Sequence, residues 1–185
     1  MEQVKGLVLY GSKYGSTRRY AQELARRLGF DCLDHRQATG QEAGQYPVIV
    51  YGGGLYAGGV LGLAKTLRNF SLQNGQKLIL VTVGLADPNE PENQHNIRTS
   101  LQKQLPAGLL YQAKIFHLRG GIDYQQLSFG HRTMMKLLYQ SLQRTPFEKQ
   151  TAENRAFIET YGKHVDFTDF RALEPIIQAI QRETI

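Results

Sequence analysis

Five short apolar runs recur along the chain: Val4–Gly11, Phe30–Asp34, Tyr46–Gly54, Lys77–Gly84 and Ala113–Gly121, four of them ending in glycine. Apolar runs of this length without alternation are the pattern of strands buried on both faces. Helical periodicity fills the gaps. After the first run, Tyr20, Ala21, Leu24, Ala25 and Leu28 share one face, Arg18, Arg19, Arg26 and Arg27 lie mostly off it, and Gly29 ends the helix. Helices are predicted over Leu61–Phe70, over Glu92–Leu105 and in the last stretch, "ALEPIIQAIQRETI". Strands alternating with helices imply parallel pairing, since a parallel neighbour is reached only by a crossover. The expectation is an α/β chain, a doubly wound five-stranded parallel sheet of order 2-1-3-4-5, forming a single domain over residues 1–185.

One segment exceeds that plan. From Gly120 to Arg171 the chain runs about fifty residues between the fifth strand and the last helix, beyond ordinary connection lengths. It contains "SFGHRTMMKLLYQSLQR", with Met134, Met135, Leu138 and Leu142 in one stripe and Arg132, Lys136 and Arg144 along the other side. This helical insertion either docks its stripe on the domain or presents an interfacial surface, its cations toward anionic lipid or carboxylates.

In a sheet of this order ligands bind at the carboxyl ends of the strands, where the winding reverses. The loops there are "GSKYGST" after the first strand, "GGGLYAGG" after the third and "GLADPNEPEN" after the fourth. The first can cradle a phosphate. Its glycines let backbone N–H groups approach an anion, a helix N-terminus follows, and Ser12, Ser16 and Thr17 offer hydroxyls. Thr17 also suits an N-cap without any ligand. A nucleotide-hydrolysing P-loop is excluded, because Gly15 is followed by Ser16 and not by lysine. "GGGLYA" (Gly52–Ala57) spells a dinucleotide fingerprint, but Lys77 stands about twenty residues on, where an acid would hold a ribose.

"GSKYGST" resembles the FMN-phosphate loop of flavodoxins, roughly [ST]-x-[ST]-G-x-T, with Ser12, Gly15 and Thr17 matching and Tyr14 in place of a hydroxyl residue. The resemblance implies a flavodoxin-like fold and FMN as cofactor, held by Ser12, Lys13, Tyr14, Gly15, Ser16 and Thr17. The later loops would flank the isoalloxazine ring with Gly53, Gly54, Leu55, Tyr56 and Ala57, then Gly84, Leu85, Ala86 and Asp87. Tyr14 implies a phosphate contact that is lost or taken over by its own hydroxyl, and Tyr56 suits stacking on the ring or plain packing at the rim. The insertion, with its Asp-Tyr pair (Asp123, Tyr124) and following basic-apolar helix, resembles the flavodoxin-like subgroup that includes menaquinone-dependent protoporphyrinogen IX dehydrogenase. That implies an FMN-dependent oxidoreductase with a quinone acceptor. The alternative is a non-enzymatic electron carrier between partner proteins. Flavin carries the electron chemistry itself, and no catalytic acid–base pair is evident.

The remaining features are bland. A net charge of +6 is spread over the chain without the aromatic motifs of RNA binding, so no nucleic-acid partner is expected. Five histidines lack metal-ligand spacing, and Cys32 alone cannot form an internal disulfide. With neither a signal-peptide pattern nor a run of about 20 apolar residues, a cytoplasmic location is expected, with peripheral membrane contact through Arg132, Lys136 and Arg144. The basic balance, against Asp87, Glu90 and Glu92 in the third loop, leads us to expect a less negative flavin potential than in acidic carriers.

Overall fold

The computed structural model describes residues 5–38, 40–56 and 58–182; Ala57, assigned to the ring-flanking loop, lies outside them. The elements in order are β1 (Gly6–Gly11), α1 (Ser16–Leu28), β2 (Asp31–Asp34), α2 (Gly40–Ala43), β3 (Val48–Tyr56), β4 (Gly59–Val60), α3 (Leu63–Leu67), β5 (Lys77–Gly84), α4 (Pro91–Gln104), α5 (Ala107–Gln112), β6 (Lys114–Arg119), β7 (Gly121–Asp123), α6 (Phe129–Gln143), α7 (Ala152–Thr160), β8 (His164–Asp166) and α8 (Glu174–Arg182). The main sheet runs β2-β1-β3-β5-β6 with every neighbour parallel, so the five expected strands stand in the expected 2-1-3-4-5 order.

Two apolar layers cover the sheet. On one side Leu7, Leu9, Ile49, Tyr51, Leu78 and Leu80 meet α3, α4 and α5. On the other Val8, Val50, Ile79 and Val81 meet α1 and α8, through Leu24 and Ile176 among others. Successive strand residues point to opposite faces, so strands buried twice must be apolar throughout, which is why the runs lack alternation. Gly29, at φ 68°, closes α1 in the left-handed conformation as the sequence indicates. Cys32 is half-buried, and burial raises its thiol pKa.

Local departures have local causes. β3 continues past Gly54 to Tyr56 because Leu55 and Tyr56 pair antiparallel with Val60 and Gly59, turning half of the expected loop into a hairpin. The helix expected over Leu61–Phe70 shrinks to Leu63–Leu67, after Gly62 spends its residue on a φ of 78°. The insertion holds two α-helices and an antiparallel pair, β7 with β8, around a small core of Ile122, Tyr124, Met135 and Phe157. On α6 the expected stripe is only partly docked. Met135 is buried and Leu142 half-buried, while Met134 and Leu138 remain 38% and 43% exposed.

Candidate functional site

The carboxyl ends of β1, β3 and β5 open into a cavity of about 630 Å³, roofed by the insertion. Its floor carries Thr17, Gly54 and Gly84; α4 contributes Asn96, Ser100 and Lys103; α6 and α7 contribute Met134, Leu138 and Phe157. The volume lies within the range of small-molecule sites, about 300–1,000 Å³.

The loop between β1 and α1 forms one edge. Gly15 precedes α1 at φ 96°, a left-handed turn that favours glycine, and no side chain caps the helix behind it. α1 therefore begins at Ser16, and Thr17 sits in its first turn instead of capping it. No acidic residue lies in that turn. The unpaired N–H groups and the dipole at this end are free to favour an anion. Thr17 is 4% exposed and lines the cavity; its Oγ1 lies 3.1 Å from where a Cβ on Gly54 would stand, so glycine keeps the wall open there.

The hydroxyls of this loop divide their work. Ser16 Oγ accepts from the Gly121 N–H at 2.9 Å and donates to the Gly121 carbonyl at 3.3 Å, joining α1 to β7. Ser12 Oγ accepts from the Gly15 N–H at 3.2 Å. Ser12 and Gly15 face a second depression on the β2 side, shared with Lys13, Arg18, Asp34 and Arg36. Lys13 borders both spaces and lies 5.7 Å above the Tyr56 ring.

Tyr14 turns into the insertion. Its hydroxyl donates to Met135 Sδ at 3.5 Å, and its ring packs against the core of the insertion. Burial, with Tyr56 nearby, pushes its pKa up to about 12, so it stays a neutral phenol. Tyr14 thus docks the loop on the extra segment while also lining the cavity. Tyr56 lies 6.4 Å away, tilted by 59°, with its own hydroxyl on Met134 Sδ at 3.4 Å.

Of the residues assigned from sequence, Lys13, Tyr14, Ser16, Thr17, Gly54, Leu55, Tyr56, Gly84 and Leu85 meet around the one cavity. Gly53 lies beneath it, where a Cβ would run into Val60. Neither Ala86, which is buried, nor Asp87, which accepts from the Asn89 N–H at 2.8 Å, is among the residues that line it. Of the walls, the stripe of α6 stood out in the sequence as an apolar face, whereas the residues from α4 and α7 carry no motif that would have disclosed them. Glu153 of α7 is the most consequential of these: its carboxylate accepts from the Leu85 and Ala86 N–H groups, and burial raises its pKa against those bonds and the pull of Arg119.

Three of the histidines take structural partners: Thr82 for His117 at 2.7 Å, Ser128 for His131 at 3.0 Å and Asp123 for His164 at 3.1 Å. Among the described residues no group of three or more His, Cys, Asp or Glu is placed to hold a metal ion, and no helix is long and apolar enough to cross a membrane.

Among solved structures the chain is similar to the oxidised flavodoxin 2 of Bacillus cereus (18% identity, 63% of this chain and 84% of that one covered, TM-score 0.47). It is also similar to the Streptococcus pneumonia flavodoxin (17%, 65% and 85%, TM-score 0.45) and to a Lactobacillus acidophilus flavoprotein in complex with FMN (11%, 63% and 92%, TM-score 0.41). No curated protein matches the sequence. A family model described as flavodoxin domain matches residues 7–149, through the whole sheet and into the insertion, and the chain belongs to that family.

Proposed function

We propose that the chain is a flavoprotein that holds FMN in the cavity and uses it for oxidoreduction. The observation that carries this reading is an uncapped, acid-free helix N-terminus on the edge of a cavity that also presents an apolar and aromatic surface, with Leu55, Tyr56, Met134, Leu138 and Phe157 on its walls. A phosphate and a flat ring joined by a flexible chain match those two surfaces. Thr17 with the first N–H groups of α1 and Lys13 would meet the phosphate, while Leu55, Tyr56, Gly84 and Leu85 would flank the ring. Ser16 would contribute its N–H, its hydroxyl being engaged with Gly121. When bound, the flavin supplies the electron chemistry, and the protein binds it, orients it and excludes water.

The finer reading is an oxidoreductase resembling protoporphyrinogen dehydrogenase, with a quinone acceptor. What supports it over a carrier between proteins is the roof: Met134, Leu138 and Phe157 give a small apolar molecule a place beside the ring, whereas a carrier gains from an open ring edge. Lys13 and Lys103 on the cavity wall favour a reduced, anionic ring and hence a less negative potential. Contact with an anionic membrane is part of the same reading. On α6, Leu137 is 62% exposed beside exposed Lys136 and Arg144, while Arg132 spends its guanidinium on the carbonyls of Gln125 and Leu127.

Anaerobic titration of the flavin-free protein with FMN, followed by fluorescence quenching, tests the core of this reading; absence of saturable quenching would overturn it. Oxidation of protoporphyrinogen with menadione present separates enzyme from carrier, since only the enzyme accelerates it. Co-sedimentation with anionic vesicles, abolished in Lys136→Glu/Arg144→Glu, tests the membrane contact.

A further inference from the structure

The insertion reaches the loop after β5 through one carboxylate. Glu153 Oε1 accepts from the Leu85 N–H at 2.9 Å, and Oε2 accepts from the Leu85 and Ala86 N–H groups at 3.2 and 3.0 Å. Two consecutive backbone donors form a small anion-binding concavity, and Glu153 fills it from the chain itself. Gly84 makes room: a Cβ there would stand 2.8 Å from Glu153 Oε2 and 2.7 Å from Leu55 Cδ1. Leu85 is held on its other side as well, its carbonyl accepting from Arg119 Nε at 2.8 Å. Arg155, also on α7, grips the far end of the same loop through Glu92 at 2.7 Å and Glu90 at 3.3 Å. Glu153 and Leu85 both line the cavity.

We infer that Glu153 is a positioning residue whose protonation is coupled to reduction of the flavin, fixing the Leu85–Ala86 backbone beside the ring while its negative charge opposes electron uptake. This inference rests on the FMN reading above. The coupling follows from Coulomb's law in a poorly solvated site: an anionic carboxylate disfavours an anionic reduced ring, and by linkage the reduced ring raises the proton affinity of the carboxylate. Burial already raises the pKa of the group, against the two N–H bonds and Arg119. The other charged or titratable groups around it are Lys13, Tyr14, Tyr56 and Lys103 on the cavity wall, Asp87 on the loop, and Glu90 and Glu92, which Arg155 compensates. In the balanced step two electrons from the reductant enter the ring with one proton. Within the coupling window one further proton passes from water to the Glu153 carboxylate.

The test is the midpoint potential of FMN-loaded wild type, Glu153→Gln and Glu153→Asp from pH 5 to 9, measured spectroelectrochemically with dithionite as reductant. The wild-type line should steepen across a window that Glu153→Gln lacks. Above that window Glu153→Gln should favour reduced over oxidised FMN about tenfold more than wild type does, a shift of ~30 mV for a two-electron couple. Below it the two proteins should coincide. Parallel lines at every pH would overturn the inference while leaving FMN binding intact. If Glu153→Gln fails to fold, a steep region displaced in Glu153→Asp relative to wild type supports the coupling, and an undisplaced one overturns it. Failure of the wild type to bind FMN at all overturns the reading of the site and this inference with it.

Discussion

The hydroxyl of Ser16 closes on Gly121 from both sides, accepting its N–H and donating to its carbonyl, so the first turn of α1 is fastened to the start of the insertion. Removing this hydroxyl leaves backbone groups of β7 without their partner. We expect Ser16→Ala to lose about 1–2 kcal/mol of stability in urea unfolding, with only a small change in FMN affinity. Thr17→Val should do the reverse, keeping stability near wild type while weakening FMN binding about tenfold, roughly one charge-assisted hydrogen bond.

Tyr14 ties the same loop to the insertion through packing more than through its weak O–H···S contact. Tyr14→Phe should be nearly neutral, whereas Tyr14→Ala should cost about 2–3 kcal/mol and loosen α6. Hydrogen exchange of α6 amides would read that loosening directly.

Gly11 ends β1 where the chain passes close to the backbone of Leu61. A Cβ at this position would run into the Leu61 carbonyl, and a backbone atom cannot swing aside as a side chain can. Gly11→Ala should cost about 3 kcal/mol, seen as a lower urea midpoint at unchanged slope.

Glu153 makes stability depend on pH in an unusual direction. Its folded pKa is raised by burial, so between the ordinary glutamic range and that folded value the folded chain holds a proton that the unfolded chain has released. Stability from this group therefore falls as pH rises through the window. Urea unfolding of flavin-free wild type and Glu153→Gln at a series of pH values should show the difference moving in favour of glutamine as pH rises, and levelling above the window.

The sheet was legible in the sequence because its three central strands are buried on both faces, which leaves an apolar signature in Leu7–Leu9, Val48–Tyr51 and Leu78–Val83 independent of tertiary detail. The hairpin of Leu55–Tyr56 with Gly59–Val60 was not, since two residues a side are too few for periodicity to register. The strands Gly121–Asp123 and His164–Asp166 escaped for the same reason, and their pairing spans some forty residues. At the site, the β1 loop declared itself through hydroxyls and glycines. Glu153 did not, because an acid in the first turn of a helix is ordinarily a solvated partner of the dipole, and nothing in "TAENRAF" tells that this one is turned inward. Tyr14 looked like a departure from the phosphate-loop pattern; its environment shows that it serves the insertion.

The way the insertion is seated bears on any attempt to transplant or trim this domain. Excising residues 120–171 would not return a minimal flavodoxin. It would strip the partners from Ser16, Tyr14 and the Leu85–Ala86 backbone at once, and remove the Glu153 carboxylate that Gly84 makes room for. The extra segment and the rim beneath it are packed as one piece, so a change on either side is felt on the other through Ser16, Tyr14 and Glu153.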